Sequence, residues 1–392
     1  MQSLNLSSDF LTSHGATFTA QEIAQQPEIW RQTDALLRSR RTEIEAFLAP
    51  ILAQASVRII FTGAGTSAHI GECIAPELLR RLNKRVEAIA TTDLVAGPRD
   101  YFQRDVPTLL VSFSRSGGSP ESVAAVDVAD QCLTKCFHLV ITCNGNGALF
   151  KRVQNRGGCF ALLLPEQTHD KGFAMTASFT SMLWTALAVF TGIEAQSARL
   201  TAVSNSGQGV VEQLNTSIQT LANQDLDRVV FLGSRGLKAL AAEAALKLLE
   251  LTDGAVVAAS NSPLGFRHGP KSIVNGKTLV LIFLSNDTLA RKYDLDLLSE
   301  LQRDGRVGEL VVVDAQPPFP AAQNSAADPK RIERLLIPKM ATASDTDLMF
   351  PFILCAQLYA FHRALKVGTT PDSPCVSGTV NRVVQGVTIH AL

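Results

Sequence analysis

The sequence predicts an α/β protein that contains two copies of one doubly wound, parallel-sheet domain. Four short apolar segments recur in the same order 170–173 positions further along the chain. Each segment is followed by a turn and then by a helical pattern, an alternation typical of parallel strands joined by right-handed crossovers. The recurring pairs are 57–63 with 227–233, 108–113 with 278–283, 140–142 with 310–312, and 162–165 with 335–338.

The individual elements are predicted from apolar runs and their period. The strands expected in the first copy are 57–62, 86–90, 108–113, 137–142 and 160–164, and its helices are 70–82, 121–132, 149–154 and 175–192. The strands expected in the second copy are 229–232, 279–284, 309–313 and 335–337, and its helices are 237–251, 289–301 and 347–365. The sequence also predicts two helices over 20–49 and a helical connector over 198–222.

These elements divide the chain into two domains and three further segments. The predicted order is a helical extension at 1–50, a first domain at 51–197, a connector at 198–222, a second domain at 223–367 and a tail at 368–392. The tail contains proline and glycine and shows no helical period. Such a segment is either frayed or folded over a site.

Composition favours a globular protein of the cytoplasm. The 392 residues carry 36 Lys and Arg against 36 Asp and Glu, and 46% are hydrophobic. Without an excess of positive charge, neither nucleic acid nor an anionic membrane is an expected partner. No apolar stretch approaches the ~20 residues of a membrane span, and the N-terminus does not resemble a secretory signal. The seven cysteines lack zinc-like spacing, so no metal is expected.

Two loops rich in glycine and hydroxyl groups follow neighbouring strands of the first copy. The first contains Gly65, Thr66 and Ser67, and the second runs from Ser114 to Ser122. In an open parallel sheet, ligands bind outside the carboxyl ends of the strands, where helix N-termini present N–H groups. The loops therefore predict a site for a phosphate monoester, although glycine and serine also serve simply as turn residues.

A dinucleotide site is the alternative for the first loop. Gly63, Gly65 and Ala68 satisfy the loose Gly-x-Gly-x-x-Ala pattern after a strand, and Asp93 follows the next strand as a candidate ribose ligand. The second serine loop has no role in that scheme, which makes the phosphate monoester the favoured ligand.

Two segments of the second copy carry candidate acid–base residues. Glu243, Lys247 and Glu250 are spaced four and three residues apart and share one helical face. The alternative is an ordinary surface ion pair. His268 lies among the turn residues of segment 262–271, where the alternative is a structural loop histidine. His169, Asp170, Lys171 and His362 are interpreted as structural or rim residues.

Taken together, these motifs resemble the sugar isomerase (SIS) family, which includes the isomerase half of glucosamine-6-phosphate synthase. The similarity covers nearly the whole chain from about Ile51 onward. Within the family, segments 20–27, 174–180 and 378–382 resemble the branch of tagatose-6-phosphate ketose/aldose isomerases, also described as galactosamine-6-phosphate deaminases. The motifs are Gly65-Thr66-Ser67, Ser114-x-Ser116-Gly117-x-Ser119, Lys247-x-x-Glu250 and Arg267-His268-Gly269-Pro270.

The resemblance implies two flavodoxin-like domains, no cofactor and a homodimer whose site is shared between subunits. It assigns Glu250 as the base of a 1,2-proton transfer on a hexose- or hexosamine-6-phosphate. His268, from this subunit or its partner, would assist ring opening, and Lys247 would position the substrate. The residues implied to hold the phosphate are Gly65, Thr66, Ser67, Ser114, Arg115, Ser116 and Ser119.

The resemblance leaves the reaction and the sugar open. The tail of the synthase carries a lysine that handles the open-chain sugar, whereas the corresponding segment 374–379 has none. Isomerisation and deamination need the same site, and the galacto and gluco epimers are not distinguished. A deglycase for phosphorylated sugar–amine conjugates and a non-catalytic sugar-phosphate sensor remain alternatives.

Overall fold

The computed structural model describes residues 2–317, 332–384 and 386–392, and these form two compact units. One unit consists of Glu28–Lys171, Met175–Leu200 and Cys375–Leu392. The other consists of Met1–Pro27, Gly172–Ala174 and Thr201–Pro374.

The N-terminal segment is helical after a small antiparallel pair of strands. The elements are β1 (Gln2–Ser3), β2 (Leu6–Ser7), α1 (Ser8–Ser13), α2 (Thr17–Ala24), α3 (Gln26–Ser39) and α4 (Arg41–Leu52). The prediction of two helices over 20–49 was wrong, because three helices occupy this region. Pro27 lies in the first turn of α3, where its missing N–H costs nothing, and it therefore favours the start of a new helix.

The first sheet has five parallel strands in the order β4-β3-β5-β6-β7. Its strands are β3 (Arg58–Thr62), β4 (Arg85–Ala88), β5 (Thr108–Ser114), β6 (Cys136–Thr142) and β7 (Cys159–Leu163). Its helices are α5 (Thr66–Leu82), α6 (Thr91–Ala96), α7 (Pro98–Tyr101), α8 (Pro120–Cys132), α9 (Ala148–Val153) and α10 (Ala177–Thr191). This strand order is that of flavodoxin. The chain adds β4 on one side of β3 and the later strands on the other side, so the switch point of the sheet lies between β3 and β5.

Helix packing fixes the position of the central strands. All residues of β3 and β5 are buried. Phe61 on β3 stacks on Phe113 of β5 at 5.9 Å and meets Phe190 of α10 edge-on at 5.3 Å. These aromatic contacts and the continuous apolar strands hold the carboxyl ends of β3 and β5 in place.

The second sheet repeats the same topology, in the order β12-β11-β10-β8-β9, with every strand parallel. It follows α11 (Ile193–Gly209), a π-helical turn (Val210–Leu214) and α12 (Asn215–Ala222). Its strands are β8 (Arg228–Gly233), β9 (Val257–Asn261), β10 (Thr278–Phe283), β11 (Glu309–Asp314) and β12 (Ile332–Leu336). Its helices are α13 (Gly236–Leu251), α14 (Pro263–Phe266), α15 (Thr288–Asp304) and α16 (Asp345–Val367). The predicted fold class of two flavodoxin-like α/β domains is confirmed.

Strand β9 was missed by the sequence analysis for a physical reason. It lies at the edge of its sheet, and its residues are exposed or half-buried. An edge strand of this kind does not need the apolar run that marks a strand buried on both faces.

Helix α16 corrects the expectation about apolar segments. Among the described residues, it is the one helix that is long and apolar enough to cross a membrane by length and composition alone. However, 94% of its most apolar stretch is buried inside the protein, as in a core helix. Phe352 stacks on Phe283 of β10 at 5.6 Å, and His362 bonds to Asn215 at 2.7 Å.

Candidate active site

The first glycine loop places a helix N-terminus close to the end of β3. A Cβ atom added to Gly63 would lie 2.5 Å from the carbonyl carbon of Ser67, so only glycine permits this approach. Gly65 precedes α5 with a φ of 54°, in the left-handed region that favours glycine. Thr66 and Ser67 open the helix and are buried. The loop therefore presents N–H groups and hydroxyls at the positive end of the α5 dipole.

Two hydroxyls at this position have few protein partners. The Ser67 hydroxyl lies 3.9 Å from the sulfur of Met175. The Thr66 hydroxyl has no hydrogen-bond partner within the part of the chain that the structure describes. A buried hydroxyl without a partner costs free energy, which a ligand with acceptor oxygens would recover.

The serine loop after β5 is held by its own side chains. Ser114 Oγ accepts a hydrogen bond from Gly117 N at 2.9 Å, and Ser116 Oγ accepts one from Gly118 N at 3.2 Å. Gly117 has a φ of 62° and allows the sharp turn. Ser119 occupies the N-cap position of α8 without a side-chain capping bond. The loop thus brings hydroxyls to the N-terminus of a second helix.

The turn after β6 supports the serine loop, a role that the sequence analysis did not assign. The Asn144 side-chain amide donates to the Ser116 carbonyl at 2.7 Å, and Leu149 N donates to the Gly117 carbonyl at 2.9 Å. A Cβ atom on Gly147 would lie 2.7 Å from the Ser116 oxygen. The repeated Asn-Gly pairs at 144–147 were the signal, because they permit this close backbone packing.

Arg115 lies in the same loop and is buried. Its side chain is 6% exposed, and Nη2 donates to the carbonyl oxygen of Arg382 in the C-terminal tail at 2.8 Å. Both residues belong to the unit that contains the first sheet. The predicted phosphate-binding residues 65–67 and 114–119 therefore follow the two strands at the switch point of that sheet.

In the second sheet, α13 brings the predicted acid–base residues together. Lys247 and Glu243 are fully buried, and Lys247 Nζ lies 3.6 Å from Glu243 Oε1. Lys247 also forms an ion pair with Glu250, whose side chain is 24% exposed. The alternative of a surface ion pair was wrong, because a buried ammonium group links a buried carboxylate to a partly exposed one. This arrangement fixes the Glu250 carboxylate while leaving it within reach of solvent or a ligand.

His268 is exposed on an anchored loop. Its backbone N–H donates to the Gly265 carbonyl at 3.0 Å, and Gly269 follows with a φ of 113°. The neighbouring Arg267 pairs with Glu300 of α15 at 2.7 Å. The loop position is thereby fixed while the imidazole remains accessible. In contrast, burial lowers the pKa of His362 to about 4, in agreement with a structural role.

The loop of the second copy that corresponds to Gly65 has nearly the same backbone shape. Arg235 has φ 55° and ψ −132°, and Gly65 has φ 54° and ψ −129°. In this copy, however, the hydroxyl of Ser234 donates to Asp294 at 2.5 Å. The hydroxyl of Ser285 donates to Asp345 at 2.7 Å. The chain's own carboxylates thus accept the hydrogen bonds that an anionic ligand would otherwise receive.

Burial raises the pKa of Asp294 to about 6, and the charge of Asp345 adds to the increase. Hydrogen bonds from Ser234 and from Ser285 N act in the opposite direction. In the first copy, the hydrogen bonds described for the side chains of Ser67, Ser114 and Ser116 involve a sulfur and backbone N–H groups. The first copy is therefore the better candidate for binding an external anion.

Comparison with known proteins identifies the family. The sequence model of the SIS domain matches residues 51–192. The chain is 44% identical over 375 residues to the D-galactosamine-6-phosphate deaminase AgaS of Escherichia coli, and this covers 95% of the chain and 96% of the relative. The chain belongs to the SIS family.

Solved structures support the assignment along the whole chain. A structure from Clostridium novyi NT matches with a TM-score of 0.94 and 38% identity over 100% of both chains. The tagatose-6-phosphate ketose/aldose isomerase from Escherichia coli matches with a TM-score of 0.85 and 41% identity, over 95% of this chain and 96% of that one. The predicted membership of the SIS family is thereby confirmed.

Proposed function

We propose that this SIS protein is a cofactor-independent phosphosugar isomerase and deaminase that converts D-galactosamine-6-phosphate to tagatose-6-phosphate and ammonia. The observation that carries the proposal is the pair of hydroxyl-lined helix N-termini in the first sheet. The Glu250–Lys247 pair in the second sheet supplies acid–base chemistry. Two of the similar proteins are named for reactions of galactosamine-6-phosphate and of tagatose-6-phosphate.

The first sheet would bind the substrate phosphate. The hydroxyls of Ser67, Ser114, Ser116 and Ser119 and the N–H groups at Gly65 and Thr66 are suitable donors for a phosphate dianion. The dipoles of α5 and α8 add to the attraction. Because these donors are mostly neutral, the phosphorylated product can dissociate without breaking many ion pairs.

Glu250 would act as the proton-transfer base. In the open-chain sugar, the C1 aldehyde acidifies the C2 hydrogen, and the Glu250 carboxylate removes it to give an enolamine. Return of the proton to C1 gives a ketimine at C2, and addition of water releases ammonia and the ketose. For a sugar with a hydroxyl at C2, the same proton transfer is an aldose–ketose isomerisation.

Lys247 would hold Glu250 in the reactive orientation through their ion pair. An ammonium group fully buried beside two carboxylates remains in place during the reaction, which favours a positioning role over covalent chemistry. The absence of a lysine from segment 374–379 agrees with a mechanism that forms no imine with the tail.

His268 would transfer a proton to or from the ring oxygen during ring opening. Its exposure on an anchored loop supports a role at a surface that a second subunit covers. We therefore include a cytoplasmic homodimer with a shared site in the proposal. Light scattering of the purified protein, with and without a sugar phosphate, tests the oligomeric state.

The activity is tested with a panel of sugar phosphates. Purified protein is incubated with galactosamine-6-phosphate, glucosamine-6-phosphate, tagatose-6-phosphate and fructose-6-phosphate while ammonia and ketose are measured. The proposal predicts equal amounts of ammonia and tagatose-6-phosphate from the galacto amino sugar. Binding of all four without turnover would support a sensor. A phosphorylated sugar–amine conjugate is assayed beside them, and release of an amine from that conjugate alone would support a deglycase.

A further inference from the structure

The C-terminal tail makes a specific contact with the serine loop. Arg115 lies between Ser114 and Ser116 and is buried, and it donates to the backbone carbonyl of Arg382 at 2.8 Å. The two arginines are 267 positions apart in the chain. A hydrogen bond from a guanidinium group to a carbonyl fixes the direction of the guanidinium plane.

Arg382 is itself held by the segment before α10. Its guanidinium group donates to the carbonyl oxygen of Asp170. The Asp170 carboxylate accepts hydrogen bonds from Thr176 N and Ser178 N, both at 2.9 Å, at the start of α10. The tail is therefore connected through Arg382 to a helix start, and its carbonyl is held where it can orient Arg115.

Three basic groups come together at this position. Burial lowers the pKa of His169, and the positive charges of Arg382 and Arg115 lower it further. The neighbouring Asp170 carboxylate acts in the opposite direction, but it already accepts five hydrogen bonds from residues 176–178. The two guanidinium groups are positively charged and lie beside a single carboxylate, and arginine is well suited to recognise phosphate.

We propose that residues 375–384 form a strap whose Arg382 positions Arg115 for the phosphate group of the substrate. Arg382 is thus a positioning residue that makes the enzyme select phosphorylated sugars over free sugars. This inference rests on the proposed function and adds a part of the chain that the serine loop alone does not include. Fixing Arg115 before the substrate binds removes an entropic cost of binding.

The test combines kinetics with equilibrium binding. Arg382→Ala should raise KM for galactosamine-6-phosphate at least about 10-fold, because it releases the backbone carbonyl that orients Arg115, with less than about a twofold change in kcat. Arg382→Lys should recover part of the loss because it keeps one donor to the Asp170 carbonyl. Asn381→Ala is the matched control. Among the described residues, the exposed Asn381 side chain donates to Gly378 O within the tail, so this change should leave KM unchanged.

A double-mutant cycle separates positioning from direct binding. If Arg382 acts through Arg115, Arg382→Ala should have little further effect in an Arg115→Ala background. Full additivity of the two changes, or an unchanged KM in Arg382→Ala, would overturn the proposal.

Equilibrium binding keeps the strap and the activity distinguishable. The Kd values of inorganic phosphate and of galactitol-6-phosphate, which cannot react, are measured by calorimetry. The proteins are the wild type, Arg382→Ala, Arg115→Ala and the double variant. Weaker binding in Arg382→Ala with the expected coupling supports the strap even if no sugar phosphate is turned over. Equal binding in all variants overturns it even if the wild type is an active deaminase.

Discussion

Replacement of Asp294 by asparagine should remove a pH dependence of stability in the second sheet. The Asp294 side chain is fully buried and accepts hydrogen bonds from Ser234 Oγ and from Ser285 N. Burial and the charge of Asp345 raise its pKa from 3.8 to about 6. Asparagine has nearly the same shape and resembles the protonated acid, so it keeps an acceptor without the charge.

The size of the effect follows from the pKa shift. A rise from 3.8 to about 6 corresponds to roughly 3 kcal/mol. Because the folded-state pKa lies above the unfolded value, the contribution is fully present below pH 3.8 and is lost as the pH rises to about 6. Relative to the wild type, Asp294→Asn should therefore gain stability between about pH 4 and pH 7.

Hydrogen–deuterium exchange of peptides from β8 and β10 measures this local stability. Wild type and variant are compared at the same pH, so that intrinsic exchange rates cancel. The protection of the variant relative to the wild type should be greater at pH 7.5 than at pH 4.5. Asp287→Asn is the control: hydrogen bonds from Ala290 N lower the pKa of Asp287, so its contribution is lost only as the pH falls below about 4. A difference between Asp294→Asn and wild type that is the same at both pH values would refute the reasoning.

Three further predictions concern buried groups and the serine loop. Lys247→Met should lower the free energy of unfolding by about 3–5 kcal/mol, measured with urea, because it breaks a buried ion pair with Glu243; an unchanged unfolding midpoint would contradict the buried geometry. Gly117→Ala should raise KM about 10-fold, because the φ of Gly117 is 62° and the new Cβ would lie 3.2 Å from Gly147. Gly118→Ala is the control and should behave like the wild type, because its Cβ would lie 3.9 Å from Ser116 Oγ. Burial raises the pKa of Cys143 to about 12, so iodoacetamide at pH 8 should label it only after unfolding; rapid labelling of the native protein, detected by mass spectrometry, would disprove this.

Most of the fold could be predicted because the buried strands of both sheets are continuous apolar runs. Strands β3, β5 and β10 are buried along their whole length, and the apolar segments that predicted them recur in the other half of the chain. Strand β9 lacked this signal because it is a half-exposed edge strand. The left-handed conformation of Arg235 could not be predicted either, because that conformation usually requires glycine.

The candidate site was predicted less completely. Helical spacing placed Glu243 and Lys247 on one face, but spacing does not determine whether that face is buried. The supporting role of Asn144 follows from the close packing of two loops and has only a weak local pattern. The contact between Arg115 and Arg382 joins residues 267 positions apart, and no local pattern reports such a contact.

Exchange of the C2 hydrogen with solvent tests the role of Glu250 most directly. Wild-type protein and the Glu250→Gln variant are incubated with galactosamine-6-phosphate in deuterated water, and deuterium in the sugar and the ketose is followed by NMR. The proposed mechanism predicts exchange in the wild type and its loss in the variant, with the Kd for galactitol-6-phosphate unchanged. Undiminished exchange in Glu250→Gln would show that another residue removes the proton.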